Sequence, residues 1–246
     1  MSILSRVSTD ELDQIAAAMM NIADDSNSAE ECAQRASFHL FDNFSDDEEN
    51  PACVLVRCFR ATRFSNLSTE LKDIASTVAA ESDLASHTQC LVLLGSAGQI
   101  SQWNSRHKSE GHRVIPLLSA EMVARSPMIA QLFRQLGIDV HEMLQPSDAS
   151  LLDTHDRTLD VFYVPNAQGS PHIPAQDEFV IRYGVQSVIG FGGVLPSASV
   201  FAIIMFTRVH VERDVAMRFG ILANAMKAAL ARFEGENTSN EPIAAS

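Results

Sequence analysis

The sequence predicts an α+β fold built around a central antiparallel sheet, and two features indicate it. The first is the stretch from Val161 to Arg208, where three apolar runs of strand character are separated by two turn clusters of Pro, Gly and Ser. Runs rich in Val, Ile and Phe that are bounded by turn residues are typical of neighbouring strands in an antiparallel sheet. The second is a set of amphipathic helix patterns at both ends of the chain, each with an apolar face to bury on that sheet.

Two helices are predicted within residues 1–50, an acidic segment that we assign to the same domain as the sheet. Ser8 or Thr9 can cap the first helix and Ser28 begins the second, because their side-chain oxygens accept from free backbone N–H groups. An apolar stripe recurs at helical spacing in each helix: Leu12, Ile15, Ala16, Met19 and Ile22, then Cys32, Ala36, Leu40 and Phe44. These stripes either pack on the sheet or form a dimer seam, and we include a homodimer through the terminal helices among the predictions.

A strand, a helix and a second strand follow. Cys53–Thr62 and Gln89–Leu94 are rich in β-branched and other apolar residues, which is typical of strands. Ser68 can cap the helix between them. The glycines at positions 95 and 98 are expected to end the second strand.

The four cysteines form no CxxC pair and have no zinc-site spacing. Cys53 and Cys58 are an odd number of positions apart on one predicted strand, so their side chains are expected on opposite faces of the sheet. We predict reduced thiols in the core, as is usual for proteins of reducing compartments.

The segment after these strands contains the only tryptophan of the chain. Trp103 lies in an otherwise polar stretch, so it is either part of a lid that folds onto the body or an anchor on the surface. His107 and His112 have no third ligand nearby, so solvated histidines are the simpler interpretation and no metal site is predicted. The segment begins an insert, at about residues 103–157, within a domain of residues 51–234.

A helix with a broad apolar face is predicted after a short strand at Arg113–Leu117. The face comprises Met122, Val123, Met128, Ile129, Leu132, Phe133 and Leu136. Pro127 interrupts this pattern, so the helix either kinks there or begins anew with Ser126 as its cap. A methionine-rich face of this kind either packs in the core or forms an adaptable wall for an apolar ligand.

The central strands and a closing helix complete the domain. The predicted strands are Thr158–Val164, Phe179–Ile181, Gln186–Leu195 and Val200–Arg208. A helix begins at Asp214 and repeats apolar residues at helical spacing through Leu230. Residues 235–246 are polar and are predicted to be a disordered tail.

Charge and composition exclude several function classes. Eighteen basic residues against 31 acidic ones give a net charge of −13, so the long-range field repels nucleic acid and anionic lipid. Twelve of the acids lie in residues 1–50 against Arg6 and Arg35, which indicates a solvated helix surface or, alternatively, a surface for a basic partner. No apolar run approaches the ~20 residues that span a bilayer. The first residues lack a signal peptide pattern, so we predict a cytoplasmic protein that binds neither nucleic acid nor membrane.

No catalytic motif is present in the sequence. The glycines at positions 190, 192 and 193 lie inside a strand pattern and match neither GxGxxG nor GxxxxGK[ST]. There is no GxSxG and no HExxH. Paired carboxylates occur only in the acidic surface runs, which lack the apolar setting that makes a general acid. We therefore predict that the protein is not an enzyme.

The last third of the chain resembles a GAF domain. Its pattern of an aromatic, a small, a hydrophobic, any residue, a serine and a hydrophobic residue is matched by Tyr183, Gly184, Val185, Ser187 and Val188. A hairpin at Pro196–Ser199 and the closing helix follow in the family's order, and the resemblance extends over about residues 10–233. The runs VPNAQGSPHIPAQDEFVIRYG and GFGG are also similar to sensory segments at the front of bacterial histidine kinases and cyclases.

The resemblance implies a GAF-like α+β fold. Its central antiparallel sheet of about five to six strands has the N- and C-terminal helices packed on one face, and loops and short helices cover the other. A ligand would lie between the sheet and this cover. Along the strand after Gly184, alternation places Val185, Ser187, Ile189 and Phe191 on one face, which we take as the floor of the pocket. The predicted ligand-binding residues are Trp103, Met128, Phe133, Phe162, His172, Phe179, Tyr183, Ser187 and Phe191.

The resemblance implies a cytoplasmic sensory module that binds a small molecule and signals through its terminal helices to a dimer mate or a partner protein. Its cofactor is unknown. One alternative is a haem-binding gas or redox sensor with His141 or His172 as the ligand of the iron, and another is a scaffold that binds only proteins. A free methionine sulfoxide reductase, which has a similar fold, is not favoured, because Cys53, Cys58 and Cys90 do not reproduce its cysteine cluster.

Overall fold

The structure, a computed structural model, describes residues 1–80, 83–109, 112–145 and 160–234. The predicted tail at residues 235–246 and residues 146–157 of the predicted insert lie outside these ranges. The centre is a six-stranded sheet in which all neighbours are antiparallel, in the spatial order β5-β4-β3-β8-β7-β6. These strands are β3 (Cys53–Arg63), β4 (Gln89–Gly98), β5 (Val114–Leu117), β6 (Phe162–Val164), β7 (Ser187–Val194) and β8 (Val200–Thr207). The predicted α+β class and its antiparallel sheet are confirmed.

One face of the sheet is covered by the terminal helices and by the helix that connects β3 to β4. They are α1 (Thr9–Asp24), α2 (Ala29–Asn43), α3 (Thr69–Ala79), α7 (Arg213–Arg218) and α8 (Gly220–Ala231), and a short parallel pair, β1 (Ser2–Ile3) with β2 (Phe44–Ser45), lies beside them. The hydroxyls of Ser8, Ser28 and Ser68 cap α1, α2 and α3. The two N-terminal apolar stripes are buried within the chain, where α1 packs on α8 and α2 packs on β3 and β4. Of the two alternatives for these stripes, packing inside the domain is therefore the one observed.

A glycine allows α2 to approach the sheet closely. A Cβ atom at Gly95 of β4 would lie 2.4 Å from the carbonyl oxygen of Ala33 in α2. Next to this contact, the Gln34 side chain donates to the Ser96 carbonyl at 2.7 Å and accepts from the Ser96 N–H at 3.2 Å. The strand that was expected to stop at Gly95 runs on to Gly98, because Gly95 and Gly98 pair with Cys58 and Leu55 in the ladder.

The end of the closing helix is attached to the sheet. Glu234, just after α8, accepts hydrogen bonds from the backbone N–H and the hydroxyl of Ser197 in the β7–β8 hairpin. It also forms an ion pair at 3.7 Å with Arg60 of β3, and both side chains are largely buried. Arg60 in turn donates to the hydroxyl of Ser199 at 3.3 Å. Thus β3, the hairpin and the closing helix meet at one point.

The other face of the sheet is covered by short elements. They are α4 (Ala120–Ala124), α5 (Pro127–Leu136), α6 (Val140–Leu144), two 3₁₀ turns at Ser101–Trp103 and Arg106–Lys108, and a π-helical turn at Gln176–Ile181. A new helix begins at Pro127, as one of the two alternatives predicted, although the Ser126 hydroxyl bonds back to the Met122 carbonyl and caps nothing. Gln135 of α5 exchanges two hydrogen bonds with the backbone of Tyr163 in the edge strand β6, which fixes this helix to the sheet. Within the described residues, no helix is both long and apolar enough to cross a bilayer.

The strand predicted at Phe179–Ile181 is wrong. These residues belong to the π-helical turn, in which the N–H groups of Phe179 and Val180 both donate to the carbonyl of Ala175. Ala175 and Gly184, at φ 55° and 68°, turn the chain at either side of it. A short apolar run fits a strand and a buried turn equally well. Here the residues with left-handed backbone conformation, Ala175 and Gly184, flank a turn.

The predicted placement of Cys53 and Cys58 on opposite faces is also wrong. Both thiols lie in the core between the sheet and the terminal helices. The pairing of β3 with β8 shifts register between Cys53 and Leu55, and such a bulge reverses the alternation of side chains. All four cysteines are buried and free, as predicted. Burial raises the pKa of Cys32 to about 11 and that of Cys53 and Cys90 to about 12, so these thiols stay protonated at neutral pH.

Candidate ligand-binding cavity

A cavity of about 750 Å³ lies between the sheet and its cover of short helices. Its floor is formed by side chains of three neighbouring strands: Leu55 and Phe59 of β3, Leu91 of β4, and Ala202, Ile204 and Phe206 of β8. Its roof is formed by Met128, Ile129, Leu132 and Phe133 of α5 together with Trp103 and Phe179. Both walls are mainly apolar. The arrangement suits a small molecule with a large apolar surface.

Four of the predicted residues line this cavity: Trp103, Met128, Phe133 and Phe179. A fifth, Tyr183, packs its ring edge against Trp103 with the ring centroids 4.7 Å apart. Phe179 connects this group to the floor, because its ring lies 5.6 Å from Trp103 and 5.0 Å from Phe206. Of the two alternatives for Trp103, folding onto the body is the one observed. Edge-to-face contacts of this kind give the aromatic wall a defined shape.

The residues of β7 that we predicted as the floor, Ser187 and Phe191, do not line the cavity. Phe191 faces the terminal helices, where its ring lies 6.4 Å from Phe219. The Ser187 hydroxyl is completely buried, donates to the Pro165 carbonyl and accepts from the Val211 N–H, so it fastens two loops to the sheet. The strand is buried on both faces, so alternation shows which residues share a face but not which face meets the cavity.

Two further predicted residues lie outside the cavity. Phe162 is on the cavity side of the sheet but is packed in the core away from the cavity, and a Cβ at Gly190 would touch its ring at 3.0 Å. His172 lines a separate polar cleft together with His210 and Arg213. Both belong to the edge of the sheet near β6, whereas the cavity is centred on β3 and β8.

The residues predicted to ligate haem do not fit that group. His141 is exposed on α6 and His172 lies in the separate cleft, so neither faces the cavity. In the part of the chain that the structure describes, no group of three or more His, Cys, Asp or Glu side chains is arranged to hold a metal ion.

Sequence reasoning missed Arg57, the most unusual residue of the cavity. It lies on the central strand β3, paired with Ser96 on one side and Ile204 on the other, and its side chain enters the cavity. Burial lowers the pKa of its guanidinium to about 10, so it remains charged at neutral pH. The signal was present in the sequence, because a single Arg stands inside the otherwise apolar run CVLVRCF. Arg57 is partly buried, and charged residues are seldom taken out of solvent unless they are paired.

The Trp103 turn is held against the end of β4. The backbone N–H of Gly98 donates to the Asn104 side chain at 2.7 Å, and a Cβ at Gly98 would lie 2.8 Å from the Cβ of Trp103. Only glycine therefore permits this contact, since real Cβ atoms do not approach so closely.

The substitution Gly98→Ala is expected to push Trp103 off the sheet. Overpacking of this kind costs about 1–3 kcal/mol. Because Trp103 is the only tryptophan, its emission should move to longer wavelength as the ring becomes more exposed, and a fluorescence spectrum records the change directly. Gly220→Ala is the matched control, since a Cβ there meets only Val161 at an ordinary 3.7 Å. An unchanged spectrum of the Gly98 variant would contradict the close contact.

The order of elements matches what the sequence resemblance implied. Terminal helices cover one face of the antiparallel sheet, short elements cover the other, and a hairpin and a closing helix follow the Tyr183–Val188 segment. The fold is GAF-like. In this GAF-like domain the cavity lies between the sheet and the short elements that cover its second face, where the resemblance places a ligand.

Several solved structures are similar in shape over most of the chain. Two are GAF domains of a cyanobacterial phytochrome, one with bound phycocyanobilin and one with bound phycoerythrobilin. They have TM-scores of 0.43 and 0.44 and identities of 7% and 6%, and each match covers 93% of this chain and 96% of the other. A third is the N-acylhomoserine lactone dependent LuxR family transcription factor CepR2 of Burkholderia cenocepacia, with a TM-score of 0.37, 10% identity and coverage of 92% and 98%. No family model and no curated protein matches the sequence. These similarities assign no ligand to this chain.

Proposed function

We propose that the chain is a GAF-like sensory module that binds a small, largely apolar molecule in the cavity and signals through its terminal helices. The cavity carries this proposal. Its volume of about 750 Å³ falls within the range of roughly 300–1,000 Å³ that is usual for small-molecule sites. An open apolar cavity also argues against the alternative of a ligand-free scaffold, whose sheet would be covered by close-packed side chains.

The structural connection from the cavity to the terminal helices is short. β3 and β8 form much of the cavity floor, and the opposite faces of the same strands pack against the helix layer. The ion pair of Arg60 with Glu234 attaches the end of α8 to β3. A ligand that prefers one position of these strands would shift the helices in proportion to that preference. A homodimer or a partner protein that receives the shift through the terminal helices, in the cytoplasm, is part of the proposal.

Two observations support a binding function rather than catalysis. The thiols lie on the helix side of the sheet, away from the cavity, and burial raises their pKa values. Among the described residues that line the cavity, none is an Asp or a Glu that could act as a general base, and the one histidine, His112, is exposed. We therefore propose that the ligand leaves the domain chemically unchanged.

The test is binding of N-phenyl-1-naphthylamine, a neutral apolar dye that fluoresces strongly out of water. The purified protein is expected to bind it at a single site, with quenching of the Trp103 emission, because Trp103 lies in the cavity wall. Native mass spectrometry of the protein as purified would show whether a cellular molecule already occupies that site. If the protein does not bind the dye and no molecule co-purifies with it, the proposed function is overturned.

A further inference from the structure

Arg57 is partly buried and makes few polar contacts. Its Nη2 donates to the Ser109 hydroxyl at 3.3 Å, while its Nε is buried without a hydrogen-bond partner in the described structure. Among the described residues no carboxylate forms an ion pair with it, and none that line the cavity is acidic. Arg57 is held on β3, an inner strand of the sheet, and its side chain lines the cavity.

An uncompensated charge in this position destabilises the folded chain. A buried cation loses its hydration, and proteins normally restore the loss with an anion and hydrogen bonds. The other basic groups at the cavity have the same sign. Lys108 and Arg125 are exposed parts of its wall, and none of the described lining residues is acidic, so the Lys and Arg charges that line the cavity are all positive in a chain whose net charge is −13. A positive, apolar cavity attracts anions and selects those with an apolar body.

We propose that the ligand of this cavity is an amphipathic anion, an apolar molecule with one acidic group that pairs with Arg57. The inference rests on the proposed function and names the chemical class of its ligand. A guanidinium binds a carboxylate or sulfonate through two parallel N–H···O bonds, and the unpartnered Nε is one of the donors such a pair requires. Ser109 holds the other side of the guanidinium in place, and the apolar floor and roof take the body of the ligand.

Two dyes that differ only in the acidic group test this proposal. 8-Anilinonaphthalene-1-sulfonate has the same aromatic body as N-phenyl-1-naphthylamine and adds one sulfonate. Arg57→Met removes the charge and keeps an apolar stem. We expect this variant to bind the sulfonate dye about 10- to 100-fold more weakly. Its affinity for the neutral dye should stay within about threefold of wild type, as judged by fluorescence titration.

Stability gives a second, independent measurement. Because Arg57→Met removes a partly buried charge that has no ion-pair partner among the described residues, its Tm without dye is expected to rise by about 2–4 °C. A purely structural arginine would give the opposite result. If the Met variant does not fold, Arg57→Gln repeats the titration with a polar but neutral side chain.

Glu110→Gln tests whether an acidic residue of the chain itself pairs with Arg57. Glu110 follows Ser109 in the sequence and lies outside the described residues. We expect it to change neither Tm nor dye affinity.

The outcomes separate this inference from the proposed function. Unchanged affinity of the Arg57 variants for the sulfonate dye, or an equal loss for both dyes, would overturn the amphipathic anion and leave the cavity as a binding site. A lower Tm of both Arg57→Met and Glu110→Gln would show that Arg57 pairs within the chain, with the same consequence. Failure of the wild-type protein to bind the neutral dye would instead overturn the proposed function.

Discussion

Replacing Ala202 by Phe is expected to abolish dye binding. Ala202 lies on β8 in the floor of the cavity, directly opposite Phe59 of β3 in the ladder. Its small side chain leaves the space above the strand open, and a Phe at this position would fill the centre of the cavity. The fold should be kept, because the added ring enters an existing space and displaces no packed side chain. We expect affinity for both dyes to fall by at least about 100-fold in fluorescence titrations.

Ala85→Phe is the control for the added hydrophobic ring. Ala85 is exposed in the loop before β4, far from the cavity walls. This variant should bind both dyes as the wild type does. Circular dichroism and the Tm of both variants would show that the sheet is retained. Dye binding by Ala202→Phe at wild-type affinity would place the binding site outside this cavity.

Replacing Gly95 by Ala is expected to destabilise the described core strongly. The new Cβ would lie 2.4 and 2.5 Å from the carbonyl oxygen and carbon of Ala33 and 2.7 Å from the backbone nitrogen of Gln34. These are backbone atoms of α2, so no side chain can rotate away and the whole helix must move. We expect a loss of about 3 kcal/mol or more in the free energy of unfolding. For a domain of this size that corresponds to a fall in Tm of about 6–12 °C.

Gln34→Ala separates the hydrogen bonds from the steric contact. It removes both bonds between α2 and Ser96 without adding an atom, so we expect a smaller loss of about 1–2 kcal/mol. Denaturant unfolding of the two variants side by side gives the comparison. A Gly95 variant as stable as wild type would mean that α2 does not lie on β4 as described.

The sheet and its helix layer were predictable because their signals are local and repeated. The stripe from Leu12 to Ile22 and the caps at Ser8 and Ser28 define α1 and α2 without knowledge of the rest of the chain. The same holds for the apolar runs of β3, β7 and β8. The roof of the cavity was predicted for a similar reason, since Met128 and Phe133 lie on one helix face.

The floor of the cavity was not predictable from alternation. Every residue of β7 and β8 is buried, so both sheet faces look alike in the sequence and the pocket was assigned to Ser187 and Phe191 on the wrong face. The bulge that moves Cys53 to the side of Cys58 leaves no trace in composition. Arg57 differs, because a charge within an apolar strand is visible in the sequence. Its contrast with the surrounding residues points to a site that periodicity does not show.

Two arginines three positions apart on β3 give that strand contact with both the cavity and the closing helix. Arg57 lies in the cavity, while Arg60 holds Glu234 at the end of the closing helix. The position of Glu234 is therefore set by the sheet as well as by the helix. A ligand that draws Arg57 toward itself would pull on the strand that holds Glu234. Ligand binding in the cavity would then change the angle of the end of α8.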